Sequence, residues 1–180
     1  MTTETEPVFP RNECGDNLRE VAEGLWIGAS LDTFYRLEGF GLIIDVFGVS
    51  RAFDRRETAL SNHVGRATIL RMPFPDCEPV PDYAFEIAIA AVAALRNQTR
   101  IMIACHAGVS RSPTVTAVVL ALVYGVPWEE AYQRVRGRGL MNRPHPVTLQ
   151  SGREFVQRKL GVELPKIGET GYLEEWNKHS

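Results

Sequence analysis

The amino-acid sequence predicts an α/β fold: a central, mainly parallel sheet with helices on both faces. Two short runs, Leu42 to Phe47 and Ile101 to Ala104, are apolar enough to be strands buried on both sides. Segments of helical period alternate with them. The strongest is Asp82 to Leu95, rich in Ala, free of breakers, with Phe85, Ile89, Val92 and Leu95 repeating. A tight loop, Cys105 to Arg111, leads from the second run into another apolar helix. Open α/β sheets bind their ligands at such carboxyl ends of strands.

In chain order, residues 1–20 read as an N-terminal arm, polar, acidic and broken by Pro7, Pro10 and Gly15, with order expected from about Val21. Leu25 to Gly28 is a short strand. Leu31 to Phe40 has helical spacing and ends at Gly39 or Gly41. Leu42 to Phe47 is the next strand, and Asp45 is read as closing it into its loop. Ser50 to Gly65 is charged and irregular. Ala67 to Pro73 is a strand, followed by Pro73 to Pro81, a proline-rich loop too stiff for a spacer, which presents Asp76. After the long helix and the strand Arg100 to Ala104 comes the Cys105 loop, then a helix apolar from Thr114 to Tyr124. Pro127 opens a further helix stopped by Gly137 and Gly139, and Thr148 to Leu160 is the last, ended by Gly161. Residues 21–161 form one folded domain, and 162–180 a C-terminal tail.

Composition bounds the chemistry. The chain has 180 residues, 44% hydrophobic, enough for one domain with a real core. A net charge of −2 gives no electrostatic argument for nucleic acid or an anionic membrane. The first residues lack a basic and then apolar leader, so a cytoplasmic protein is expected. The apolar stretch after the loop is too short to cross a bilayer. Cys14, Cys77 and Cys105 do not form a disulfide framework, and the four histidines are scattered, so neither a metal nor another cofactor is expected.

The Cys105 loop carries the chemistry. Its successive backbone N–H groups can converge on one concavity, and the following helix adds the positive end of its dipole. Gly108 permits a positive φ. Arg111 offers a planar fork matched to two oxygens of a phosphate. The same field favours Cys105 as thiolate. Either residue alone is explained by packing or solvation. Together, with Gly108 between them and Ser112-Pro113 opening a helix, they form an anion cradle with a nucleophile at its base.

This loop resembles that of the dual-specificity branch of the cysteine-dependent protein tyrosine phosphatases, whose motif is His-Cys-x-x-Gly-x-x-Arg-Ser/Thr. Cys105, Gly108, Arg111 and Ser112 match it, and Ala104 stands where the family has His. The resemblance spans about Val21 to Gly161. It implies a protein tyrosine phosphatase-like fold and a phosphatase of phosphotyrosine and phosphoserine or phosphothreonine in protein substrates, working through a phosphocysteine on Cys105. Arg111 would clamp the phosphoryl group, with His106, Ala107, Gly108, Val109 and Ser110 around it. Ser112 would support the sulfur as leaving group. Asp76, whose spacing from Cys105 is similar to that of the family's acid, would be general acid and then base, ahead of Glu78 and Asp82.

Other cysteine-arginine enzymes fit less well. Low-molecular-weight phosphatases and arsenate reductases place the loop before the acid, the reverse of this order, and rhodanese-like sulfurtransferases use a shorter loop. A non-protein substrate (RNA 5′-phosphate, phosphoinositide or glucan) and a weakly active phosphoprotein-binding module stay open. The loop carries no Lys for a multiply phosphorylated inositol lipid.

Overall fold

The computed structural model describes residues 18–29, 39–47, 67–136 and 144–164. Five strands form one sheet in the order β1-β2-β5-β3-β4: β1 (Arg19–Ala22), β2 (Leu25–Ala29), β3 (Leu42–Phe47), β4 (Thr68–Phe74) and β5 (Ile101–Cys105). β2, β5, β3 and β4 are parallel, and β1 alone is antiparallel. The carboxyl ends of four strands therefore share one edge. The expected mainly parallel sheet is what forms. β1, an addition to the expected strands, lies on the sheet's edge with a bulge between Glu20 and Ala22, and its Arg19 guanidinium donates to the Val135 carbonyl.

Alternation within the strands sorts side chains between two layers. Leu25, Ile27, Leu42, Ile44, Val46, Ile101, Ile103 and Cys105 enter the large core beneath the helices, whereas Ile43, Met102, Ala104 and Phe40 make a small cluster on the opposite face. Four helices are described: α1 (Asp82–Leu95), α2 (Arg111–Val123), α3 (Trp128–Val135) and α4 (Pro146–Leu160). Each contributes side chains to the large core. Of the expected helix over 31–40, the arm over 1–20 and the tail over 162–180, residues 31–38, 1–17 and 165–180 lie outside the described residues, as do the segment 50–65 and the glycines 137 and 139. Order begins earlier than the expected Val21, since β1 starts at Arg19.

α2 is the central helix, with eleven of its thirteen residues buried, which is why its sequence is apolar all round rather than striped. It starts at Arg111, the N-cap being Ser110, so Pro113 falls in the first turn where a missing N–H costs nothing. α4 lies close against it. A Cβ on Gly152 would stand 2.8 Å from the Thr114 methyl, so the absence of a side chain sets that approach. α1 meets α4 through Phe85 and Phe155, fully buried rings with centroids 4.8 Å apart. Such a pair contributes about 0.5–1.5 kcal/mol beyond its buried area. No helix among the described residues is long and apolar enough to cross a membrane.

Candidate active site

Cys105 is the last residue of β5, and the alternation that buries Ile101 and Ile103 under the helices turns it to the same side, where it is 2% exposed. The chain then folds back through His106 and Ala107, both exposed, and Gly108, buried, to reach α2 at Arg111. Gly108 has φ +71, and a Cβ there would press on the backbone of Gly28 at 3.2 Å. Two constraints thus demand glycine at one position, a left-handed backbone and a close approach to the end of β2. Ser110 is buried, and its oxygens are occupied. The hydroxyl accepts from the His145 N–H at 2.9 Å, and its carbonyl accepts from both the Thr114 hydroxyl and the Thr114 N–H. The loop is so pinned to the start of α4 on one side and to the first turn of α2 on the other.

Ser112 is fully buried, with its Oγ 3.2 Å from Cys105 Sγ and 3.4 Å from the Gly28 carbonyl. One hydroxyl hydrogen serves both acceptors. An ionised sulfur, as the charged acceptor, competes better for it.

Arg111 is 4% exposed and held from three directions. Nη1 donates to the Phe74 carbonyl at 3.1 Å, Nη2 stands 3.5 Å from Asp76 Oδ2, and the guanidinium carbon lies 5.3 Å from the centre of the Phe47 ring. A cation over a ring contributes from about 0.5 kcal/mol when exposed to about 2 when desolvated. Nε is buried without a hydrogen-bond partner among the described residues. A buried donor left unpaired costs about 1–3 kcal/mol, more when charged.

Asp76 lies in the loop between β4 and α1, half exposed. Its Oδ1 accepts from the N–H of Cys77, whose backbone is left-handed at φ 60. Burial, and then the Asp76 charge, push the Cys77 thiol up, while Arg111 pulls it down. Farther along, the loop is tied to α4: Val80 N–H donates to Ser151 Oγ, and Thr148 Oγ1 donates to the Glu78 carbonyl. The sheet thus brings Cys105, Arg111, Ser112 and Asp76 together. Glu78 is exposed, and its recorded tie is made by its backbone. Asp82 turns to Arg158, at 2.8 and 2.9 Å from its two oxygens. Asp82 stands in the first turn of α1, after the N-cap Pro81.

Ala104 is fully buried in the small cluster with Phe40, Ile43 and Met102, on the face opposite Cys105. Asp45 accepts the Phe47 N–H at 3.0 Å at the end of β3; the loop it is expected to close lies outside the described residues. Three participants escaped sequence reasoning: Phe47, the Phe74 carbonyl and the His145 N–H. Each reaches the loop across the fold, and only the strand register could have announced the first two. No group of three or more His, Cys, Asp or Glu among the described residues could hold a metal.

No protein-family model and no curated protein matches the chain. Solved structures do. Human DUSP28 superposes with a TM-score of 0.66 at 20% identity, over 87% of this chain and 99% of that one. A mouse putative dual specificity phosphatase complexed with zinc tungstate gives 0.66 at 20%, over 86% and 95%. PTPMT1 in complex with PI(5)P gives 0.63 at 16%, over 81% and 98%. The chain has a protein tyrosine phosphatase-like fold. Its structural neighbours include dual-specificity phosphatases, members of the cysteine-dependent protein tyrosine phosphatase superfamily.

Proposed function

We propose that the protein is a cysteine-dependent phosphatase of phosphorylated proteins, accepting phosphotyrosine and phosphoserine or phosphothreonine. The observation that carries this reading is the buried Arg111, whose Nε lacks a partner among the described residues, beside the Cys105 and Ser112 pair at the amino end of α2. A tetrahedral dianion bound there would complete the guanidinium's hydrogen bonds and meet the loop amides.

In the first step the Cys105 sulfur attacks phosphorus as the phosphorus–oxygen bond to the leaving group breaks, and Asp76 gives that oxygen a proton. Arg111 and the amides from His106 to Ser110 hold the three remaining oxygens, which carry the charge. In the second step Asp76 takes a proton from water as the water oxygen attacks phosphorus. The sulfur leaves as thiolate, receiving the Ser112 hydrogen bond. Asp76 begins on Arg111; phosphate entering the guanidinium fork would displace the carboxylate, which takes up a proton from solvent and then gives it to the leaving oxygen.

The neighbour solved with PI(5)P raises a phosphoinositide as a second substrate. Against it, His106, Ala107, Val109 and Ser110 bring no ammonium to the cradle. The test is a rate comparison on the purified protein among phosphopeptides, PI(5)P and RNA bearing a 5′-phosphate. Phosphopeptides should be fastest, with Arg111→Lys losing both binding and rate because a point charge cannot span two oxygens. A faster lipid or RNA substrate would overturn the protein assignment, and no turnover of any would overturn the phosphatase.

A further inference from the structure

The sheet register brings an aromatic pair to the mouth of the cradle. The parallel pairing of β3 with β5 runs as far as Asp45 opposite Ala104, and just past the end of that ladder Phe47 and His106 meet. Their rings are stacked, with centroids 4.8 Å apart and planes 17° from parallel. Phe47 is half-buried and His106, the residue after the nucleophile, is exposed. In the pairing of β3 with β4, Phe47 lies opposite Phe74, the residue whose carbonyl holds Arg111. The stack therefore rises directly beside the guanidinium that would grip the phosphoryl group.

We infer that Phe47 and His106 form a flat aromatic rim that reads the leaving group, favouring aryl phosphomonoesters, phosphotyrosine among protein substrates, over alkyl ones. The inference rests on the phosphatase reading and narrows it. When phosphorus sits over Cys105, a tyrosyl ring extends outward from the cradle and runs past a wall at the height of His106. Rings gain from offset or edge contact with such a wall in a way that a methylene does not. A seryl or threonyl ester places only an aliphatic carbon there, followed at once by the peptide backbone. Both would enter, but the aryl ester would gain the additional contact.

Phosphonates isolate this contact, because they have no leaving group and their affinity owes nothing to Asp76. Inhibition by benzylphosphonate and by methylphosphonate is measured for the parent, Phe47→Leu and His106→Ala. The parent should bind the aryl compound more tightly, and each substitution should reduce that advantage by about 2- to 10-fold, the range of an aromatic pair. His106→Ala, at an exposed position, keeps the test independent of folding. With matched phosphotyrosyl and phosphothreonyl peptides, His106→Ala should raise KM for the first more than for the second. An unchanged aryl advantage in His106→Ala would overturn the inference, as would equal weakening of both phosphonates, which would make the stack a brace for Arg111. Failure of both phosphonates to inhibit the parent, alongside no turnover of any phosphomonoester, would instead remove the phosphatase reading on which the rim depends.

Discussion

Two loops meet on the guanidinium of Arg111, and they are held in opposite ways. The loop after β5 is pinned from within: Gly108 rests on Gly28, Ser110 is bonded to His145 and Thr114, and Ser112 touches the sulfur. The loop after β4 exposes the carboxylate of Asp76 and is tied to α4 farther along, at Glu78 and Val80. A cradle for a developing charge gains from donors fixed before the reaction, since they need no reorganisation as charge moves. A proton donor must instead meet leaving groups of different shapes. The division suggests separable failures: damage to the frame of the first loop, at Gly108 or Arg111, should remove binding and chemistry together, whereas loss of the Cys105 sulfur or damage to the second loop should alter chemistry alone.

The largest effect is expected at Cys105. Cys105→Ser should abolish turnover while leaving vanadate or tungstate binding in place, because the cradle is made of backbone and Arg111. Substantial residual turnover would mean that water attacks phosphorus directly. Asp76→Asn should come next, slowing hydrolysis of alkyl phosphates by roughly 10²–10⁴, with much less effect on aryl phosphates that leave readily. A rate series over leaving groups checks this: Asp76→Asn should steepen the dependence. If Glu78→Gln or Asp82→Asn steepens it instead, the acid is elsewhere.

Gly108→Ala tests the pinned loop. A left-handed non-glycine residue and contact with the Gly28 backbone together should cost about 1–3 kcal/mol in urea unfolding, with oxyanion binding weakened too. Wild-type stability and binding would show that the loop is less constrained than its geometry indicates. The smallest effect belongs to Asp82→Asn. Its pair with Arg158 is exposed and screened, so the loss should stay within about 1 kcal/mol, with the leaving-group dependence unchanged.

Legibility in the sequence follows the same division. The cradle is local: cysteine, glycine, arginine and helix start fall within one short run, and each residue type is there for a reason that neighbours alone can state. α1 was equally plain, its predicted and observed ends coinciding at Asp82 and Leu95. β1 was not. Arg-Glu-Val-Ala has weak strand character, and its pairing with β2 at the sheet edge makes it a strand, a case of tertiary context overriding propensity. Phe47 was hidden for a related reason. As the last residue of β3 it reads as ordinary core, and only the β3–β5 register brings it beside His106. Asp76 could be named from the resemblance, but its contact with Arg111 depends on β4 lying next to β3, which spacing along the chain does not reveal.

The covalent step is tested most directly by rapid-quench capture of the protein during turnover of an aryl phosphate, followed by peptide mapping under conditions that preserve a phosphorus–sulfur bond. One phosphoryl group is expected on the peptide containing Cys105, formed within a single turnover and absent in Cys105→Ser. Asp76→Asn should make it accumulate, since breakdown also needs the base. A parent enzyme that turns over with no phosphoryl group on Cys105 at any time, in either background, would contradict the covalent mechanism.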